Sequence, residues 1–484
     1  MRSLGFGCLA LLIGTGCSAL INPDTDRLGT DPEGGEDAGV VTLMDAGEPP
    51  PPGTDAGEPP PGTDAGGPPP GTDAGCVAGC SGGTLTTCDG DVVTCPLGCA
   101  PTGDARCAEM IPSNVEPSLW RADARDVIAE PLGEPLYFDT SRCMARMADS
   151  MVVPQAGDAP EICVLMVRDF IVRRNAGMII RGDRPVAILA TGDVIIEEDG
   201  YIEASGRGEA PGPGGARGGN VREENGKGAG AGIAGDREGM FSDGGGGGGA
   251  FCGDGGDGGD GGSAGGGNGG GASSGVNFLQ PLRGGSGGGI GTGGPGTSST
   301  DPGNIGLGGA GGGALQISAL GEIRIDGFIL AGGGGGGGGG RGDGNWGAGG
   351  GGGSGGGVLL EAPTIVVAAT AGVTTSGGGG AGSASSSGPG ADGQDGAMTL
   401  GRADGGASGG TDFGASGGDS GGGGDPDGLD GDDNSRSGAN GGGGGGGVGC
   451  VVYRTADGDL PANASDRTSG SSGPSLMNAE ILTR

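Results

Sequence analysis

The sequence predicts an all-β protein with a parallel β-helix-like or solenoid core that bears long Gly-rich insertions. Three observations support this prediction. Short β-branched apolar runs recur at intervals near eight residues from Ile162 onward, turn formers separate them, and the same group of runs returns after each Gly tract. Such short, regularly spaced strands are typical of stacked coils. Ahead of the core we expect a disordered stalk and a small disulfide-rich module.

The apolar runs define one supersecondary unit that recurs along the chain. Each copy has two apolar runs followed by a short strand that leads into glycines. This short strand begins at Asp199-Gly200-Tyr201 before the first Gly tract and at Asp326-Gly327-Phe328 before the second. The Gly tracts are therefore expected to leave the stack in one region. The predicted strands are 170–172, 178–180, 186–189, 194–196 and 201–203, then 315–317, 323–325, 358–360, 365–367 and 451–453.

The Gly tracts extend over residues 206–312, 332–357 and 377–447. Glycine loses the most backbone entropy on folding, so long Gly runs resist order unless they are tightly held. Two states remain open: disorder, or bundled polyglycine II helices whose backbone hydrogen bonds run between strands. Nine consecutive glycines at 332–340 and the three-residue spacing of Asp254, Asp257 and Asp260 suit the second state. Of the two, we favour disorder.

The N-terminus predicts export and lipid attachment. Residues 1–17 read as a signal peptide: Arg2 provides the positive start, and the apolar run 4–13 is too short to span a bilayer. Gly14-Thr15-Gly16-Cys17 resembles a lipobox, with Gly14 where a large aliphatic residue is usual. We predict that Cys17 is lipidated and anchors the chain to a membrane. Cleavage after Ala19 without lipid is the alternative.

Residues 18–75 form a Pro/Asp/Gly-rich segment, and residues 76–107 form a cysteine module. The first repeats a Pro-containing unit of about nine residues, which favours an extended, disordered stalk. The second duplicates the spacing C-x3-C-x7-C, so each cysteine has a counterpart 19 residues later. In an exported chain this pattern predicts disulfides, with the pairing left open. The module's cysteines are Cys76, Cys80, Cys88, Cys95, Cys99 and Cys107.

Four further cysteines lie outside the module, namely Cys143, Cys163, Cys252 and Cys450. Unpaired thiols are uncommon in an oxidising compartment, so two more bridges are expected. Nearest-neighbour closure pairs Cys143 with Cys163 and Cys252 with Cys450. The remaining boundaries follow composition: an N-terminal cap segment at 108–161, the Gly-rich β domain at 162–455, and a polar C-terminal tail at 456–484.

The composition argues against several classes of function. With 60 acidic and 25 basic residues the net charge is −35, which argues against nucleic acid as a partner because phosphate binding needs clustered cations. The absence of His excludes Ser-His-Asp and Cys-His catalysis. We therefore predict no catalytic residues. The only dense carboxylates between the strands are Glu197, Glu198 and Asp199, at a predicted turn, and they leave a carbohydrate-active β-helix enzyme (polysaccharide lyase or glycosidase) as the alternative.

Calcium is the one candidate ligand ion, and we expect no other cofactor. Oxygen donors crowd into one ten-residue stretch, as hard cations require. A solvated acidic loop is the competing interpretation, because the stretch departs from known calcium-loop patterns. The candidate ligands are Asp425, Asp427, Asp430, Asp432 and Asn434.

The order of lipobox, Pro/Asp/Gly stalk, Cys-rich module and Gly-tract β domain resembles Gly-rich surface lipoproteins of Gram-negative soil bacteria. The resemblance implies surface exposure and no defined activity. We therefore expect a non-catalytic structural or adhesive lipoprotein at the outer membrane, on the cell surface or outside the cell. Its expected partners are the membrane, through the N-terminal lipid, and extracellular polysaccharide or other cell-surface components.

Overall fold

The computed structural model describes residues 78–480 with short gaps at 82, 96–98, 100–104, 108, 132, 147, 239–241, 273–278, 294–303, 343–344, 397 and 470–475. The predicted signal peptide, the Cys17 lipidation site, the stalk and Cys76 lie outside the described residues. Across the described part, no helix is long and apolar enough to cross a membrane.

The described chain is built from short strands and one 3-10 turn, Pro117–Leu119. The strands are β1 Gly79–Ser81, β2 Thr84–Thr86, β3 Val92–Thr94, β4 Val127–Ala129, β5 Leu136–Asp139, β6 Asp149–Val153, β7 Ile162–Val167, β8 Phe170–Val172, β9 Gly177–Arg181, β10 Val186–Ala190, β11 Val194–Ile196, β12 Tyr201–Glu203, β13 Arg237–Glu238, β14 Ser242–Asp243, β15 Ala314–Ala319, β16 Glu322–Ile325, β17 Phe328–Leu330, β18 Arg341–Gly342, β19 Asn345–Trp346, β20 Gly357–Glu361, β21 Thr364–Val367, β22 Gly372–Thr374, β23 Cys450–Thr455 and β24 Leu476–Glu480.

Three open sheets contain most of these strands. Sheet A has the order β24-β23-β20-β15-β10-β7-β6, sheet B the order β21-β16-β11-β8-β4, and sheet C the order β22-β17-β12-β9-β5. The chain visits A, B and C in turn, so that β7-β8-β9, β10-β11-β12, β15-β16-β17 and β20-β21-β22 form four successive coils. Pairing is parallel throughout the three sheets except for β6 against β7. The predicted all-β class is confirmed.

Stacked apolar columns between the sheets hold the coils in register. In sheet A, Ile188 pairs with Leu165 on one side and with Ile317 on the other, and Leu360 and Tyr453 continue the column. All five side chains are buried in one core cluster. A second cluster covers the opposite face of sheet A, where Phe251 and Leu279 pack against it. Burial on both faces explains why the sheet A strands are apolar without alternation.

The strands predicted from the apolar runs are present, and the stack is longer than the predicted 162–455 domain. β4 and β5, inside the 108–161 segment, pair with β8 and β9. β24, inside the 456–484 segment, pairs with β23. These added strands supply hydrogen-bond partners to sheet edges that would otherwise be exposed. Single flanking strands have no repeat to reveal them, so the periodic pattern missed them.

The cysteine module is a small antiparallel sheet, β1-β2-β3, held by disulfides. Cys80 pairs with Cys99 and Cys95 with Cys107, and Cys88 is also disulfide-bonded. Outside the module, Cys143 pairs with Cys163, and Cys252 pairs with Cys450 across a sequence separation of 198. Both pairings outside the module match the prediction. The second ties the first Gly tract to the start of β23.

Removing the Cys252–Cys450 bridge is expected to destabilise the stack. Replacing both cysteines with Ala releases a loop closed over 198 residues, for which chain entropy gives a loss of at most about 5 kcal/mol. We expect a clearly lower melting temperature by calorimetry. The matched control replaces Cys80 and Cys99, which close only 19 residues inside the cysteine module, and should leave the main transition unchanged. Equal melting temperatures for both double variants would contradict the prediction.

Candidate functional site: the glycine lattice and its acidic edges

Each Gly tract leaves the stack from the same corner. The tracts follow β12, β17 and β22, the sheet C strands of three successive coils, and return to sheet A at β15, β20 and β23. The ladder of sheet C continues directly into them. The Ala204 amide donates to the Leu330 carbonyl at 2.7 Å, and the Gly206 amide donates to the Gly332 carbonyl at 2.8 Å. The coils therefore deliver neighbouring tracts side by side and in register.

Three segments, 243–249, 349–355 and 441–447, bond to one another around a common axis. The Gly249 amide donates to the Gly352 carbonyl at 2.8 Å, Gly352 donates to Gly444 at 2.9 Å, and Gly444 donates to Gly246 at 2.9 Å. Following these three bonds around the axis leads from Gly249 back to the same segment at Gly246, three residues earlier in the chain. This is the repeat of a three-residue-per-turn extended helix, which forms no internal hydrogen bonds and must bond to its neighbours.

Successive residues of one segment bond to different neighbours. The amide of Gly246 donates to Gly349, that of Gly247 to Ile233, and that of Gly248 to Gly256, at 2.8 to 2.9 Å. Each segment thus has three hydrogen-bonding faces, which is the polyglycine II arrangement. Residues 242–250, 347–362 and 439–455 are buried. The disorder favoured from the sequence is therefore wrong for the described parts of the tracts. We call this assembly of the three tracts the glycine lattice.

Close backbone packing explains the glycine content. A Cβ atom built on Gly350 would lie 2.1 Å from the Leu307 carbonyl oxygen, and one on Gly247 would lie 2.1 Å from the Asn268 carbonyl oxygen. No side chain fits at such positions, so the interior consists of hydrogen-bonded backbone. Because buried amides and carbonyls must be paired, the mutual bonding of the tracts takes the place of an apolar core.

Substituting one interior glycine tests this packing. Gly350→Ala forces a Cβ against backbone that cannot rotate away, and we expect a loss of about 1–3 kcal/mol. The control is Gly271→Ala, where nothing lies within 4 Å of the added atom, and its effect should stay within about 0.5 kcal/mol. Chemical denaturation measures both. Equal stability of the two variants would show that the tracts are not packed as described.

Aspartates complete the edges of the lattice. The backbone amides of Asp254, Asp257 and Asp260 each donate at 2.8 Å to the Oδ1 atom of a residue 173 positions later, namely Asp427, Asp430 and Asp433. Amides of the neighbouring segment in turn donate to the first row: Gly269 to Asp257 at 2.7 Å and Gly266 to Asp260 at 2.8 Å. We call these six aspartates the paired Asp rows. Within a row, carboxylates recur about every 9 Å, given three residues per turn.

A second edge is completed in the same way. Asp395 Oδ1 accepts from the amides of Gly208 at 2.7 Å and Gly335 at 3.0 Å, while Asp392 accepts from Gly338 at 2.7 Å. A short carboxylate can reach an outward amide that has no strand beyond it. These edge aspartates therefore have a structural role that the sequence interpretation missed. The three-residue spacing of Asp254, Asp257 and Asp260 was the available signal.

The predicted calcium ligands lie along the segment 425–434, on the edge that carries the paired Asp rows. Asp427 and Asp430 belong to the paired Asp rows, and Asp425 forms an ion pair with Arg402. Asp432 is exposed, and the Asn434 side chain bonds to the Gly414 carbonyl and the Arg436 amide. Among the described residues, no group of three or more His, Cys, Asp or Glu is arranged to hold a metal. The structure does not gather the five predicted ligands into one coordination site.

The alternative enzyme hypothesis depends on the carboxylates of Glu197, Glu198 and Asp199. The two glutamates form ion pairs with different arginines. Glu197 pairs with Arg173 at 2.6 Å and Glu198 pairs with Arg174 at 2.5 Å. The hydrogen bond from Arg173, with that from the Arg174 amide, holds the pKa of Glu197 below its ordinary value. Asp199 lies in the predicted turn, with a φ of 60°. Glu197 and Glu198 thus form ion pairs with different arginines, and the three carboxylates do not share one site.

Acidic and basic groups do converge at Glu203, at the end of β12. Its carboxylate accepts from Arg181 at 2.9 Å and from Arg207 at 2.7 Å, and its side chain is 6 % exposed. Burial alone would raise the pKa of Glu203, but the two arginines outweigh burial and hold the pKa below its ordinary value. Glu203 is thus an ionised, doubly paired carboxylate with little capacity to donate a proton.

No protein-family model, no curated protein and no solved structure matches the chain.

Proposed function

We propose that the chain is a surface-displayed, non-catalytic lipoprotein with a structural or adhesive role, in which a parallel β-helix holds the glycine lattice outward for contact with extracellular polysaccharide. The observation that supports this most is the paired Asp rows. Their carboxylates are exposed, regularly spaced and fixed by hydrogen bonds to the lattice backbone. A rigid row of acceptors suits a polymer that offers hydroxyl donors at regular intervals.

Rigidity favours binding because less side-chain entropy is lost on contact. A free aspartate must be ordered when a ligand binds, whereas Asp257 and Asp430 are already held through their Oδ1 atoms. The net charge of −35 also keeps such a surface solvated and prevents self-association. These properties fit a protein displayed at high density on a cell.

The proposed placement rests on the N-terminal segments. Lipid on Cys17 would fix the chain to the membrane, and the 18–75 segment, extended at ~3.1 Å per residue, would span at most roughly 180 Å. We place the protein at the outer membrane, on the cell surface or outside the cell.

Cys17→Ala should move the protein from the membrane fraction to the soluble exported fraction, because the acylated residue is lost. Cys8→Ala is the matched control, since it changes a cysteine inside the apolar run and leaves the lipobox intact; it should stay in the membrane fraction. Fractionation with immunoblotting, and protease treatment of intact cells, measure anchoring and exposure. Equal membrane retention of both variants would contradict the proposed anchor.

The alternative is a carbohydrate-active enzyme. The feature closest to such a site is Glu203, where an acidic side chain meets two basic ones, Arg181 and Arg207. A glycosidase needs two carboxyl groups, one of them able to donate a proton. Glu203 is ionised and its carboxylate is occupied by two arginines. These properties support the adhesive role over the catalytic one.

One experiment separates the two roles. The purified exported protein is incubated with isolated cell-surface polysaccharides, and bound polymer and released product are measured together. We expect binding without chain cleavage, reduced several-fold when Asp257 and Asp430 are both replaced by Asn, which keeps the Oδ1 acceptor and removes the charge. Glu203→Gln should bind as the wild type does. Product release that disappears in Glu203→Gln would favour the enzyme instead.

A further inference from the structure

The first and third Gly tracts meet at two buried polar residues. Asp243 ends β14 in the first tract, and Asn440 lies in the third tract, where the two form an in-register parallel bridge. The Gly441 amide donates to the Asp243 carbonyl at 3.0 Å, which closes the last circuit of the lattice. Both side chains are 1 % exposed.

Three side-chain oxygens at this junction have no hydrogen-bond partner among the described residues. They are both carboxylate oxygens of Asp243 and the amide oxygen of Asn440. The Asn440 Nδ2 atom is directed to the Ala384 carbonyl at 3.4 Å, so the amide nitrogen does not serve Asp243. Leaving such groups unpaired in a buried site costs several kcal/mol for a charged carboxylate.

Among the described residues, no positively charged side chain contacts the Asp243 carboxylate. Arg237 is the charged group that acts on the carboxylate, and its guanidinium donates to Glu224 Oε1 at 3.2 Å. Burial raises the pKa of Asp243 to about 6, with Arg237 opposing the change. The carboxylate and the Asn440 amide oxygen across the bridge are thus buried without a hydrogen-bond partner among the described residues.

We propose that Asp243 and Asn440 bind a hard cation inside the glycine lattice, with Ca²⁺ as the first candidate. A proton would supply one donor for three oxygens, whereas a hard cation takes several oxygen ligands at once. Carboxylate and amide oxygens are the ligands that Ca²⁺ prefers, whereas zinc favours the nitrogen and sulfur donors that this site lacks. The strongly acidic chain also concentrates cations around itself.

This site differs from the 425–434 stretch, which lies on the exposed edge, and it is independent of the proposed adhesive function. Its role is structural: the ion joins the first tract to the third, whereas the Cys252–Cys450 disulfide joins the first tract to the start of β23, just beyond the third tract. A cation here would lock the closed hydrogen-bond circuit at the end that the disulfide does not reach.

The test uses the full exported chain after treatment with EDTA. Melting temperature and bound metal are measured at neutral pH with and without millimolar Ca²⁺, with Mg²⁺ in parallel. We expect about one Ca²⁺ per chain at this site and a melting temperature several degrees higher. Asp243→Asn should lose the bound ion and the temperature shift, whereas Asp427→Asn, on the exposed row, should keep both.

A second variant guards against simple misfolding. Asn440→Asp adds a carboxylate to the site, so Ca²⁺ should bind at least tenfold more tightly and the variant should fold well only when the ion is present. If no ion is bound, two buried carboxylates repel each other and this variant is destabilised with or without Ca²⁺. That result, or a wild type that binds no metal while Asp243→Asn is equally stable, would overturn the proposal. A cation bound equally by wild type and Asp243→Asn would overturn it as well.

Discussion

The whole insertion region depends on hydrogen bonds between backbone groups of extended glycine segments. A strand in a β-sheet bonds to two neighbours, but each segment here bonds to three, because its amides turn outward in a three-residue cycle. The bonds of Gly246, Gly247 and Gly248 to three separate segments show this directly. The arrangement requires a backbone without Cβ atoms, since Gly350 and its equivalents have carbonyl oxygens where a methyl group would lie. Glycine content is therefore a packing requirement of the molecule.

The stack of coils makes this lattice possible. Long glycine segments are costly to order, and nothing in their own sequence specifies a partner. The coils remove part of that cost, because parallel strands about 4.8 Å apart fix where each tract begins and ends. The bond from Ala204 to Leu330 belongs to the ladder of sheet C, and the bond from Gly206 to Gly332 already belongs to the lattice. Apolar columns such as Leu165, Ile188 and Ile317 thus set the register of a region that contains almost no apolar side chains.

The sequence predicted the stack far better than the lattice. Runs of Val and Ile leave a periodic signal, so the strands, the common exit region and the bridges Cys143–Cys163 and Cys252–Cys450 could be predicted. A glycine run has no side chains, so its sequence does not indicate which side is buried. Which segments bond to one another is decided by the register of the coils and not by the local sequence. The local clues were the nine consecutive glycines at 332–340 and the spacing of Asp254, Asp257 and Asp260. Asp243 and Asn440 gave none, because their burial arises only when tracts distant in sequence meet.

The acidic charge follows from the same geometry. A lattice of this kind ends wherever an outward amide has no strand beyond it, and solvent competes for that amide. Asp430 and Asp395 show the solution: a carboxylate on a short side chain accepts the outward amide and leaves its charge in water. Each completed edge adds negative charge, so a wide lattice becomes strongly acidic whatever its ligand is. Exposed carboxylates therefore cost little to place, whereas a carboxylate inside the lattice has no solvent to compensate it. Asp243 lies inside the lattice, where the edge rule does not apply, and its position between two tracts is where a bound ion would strengthen the lattice most.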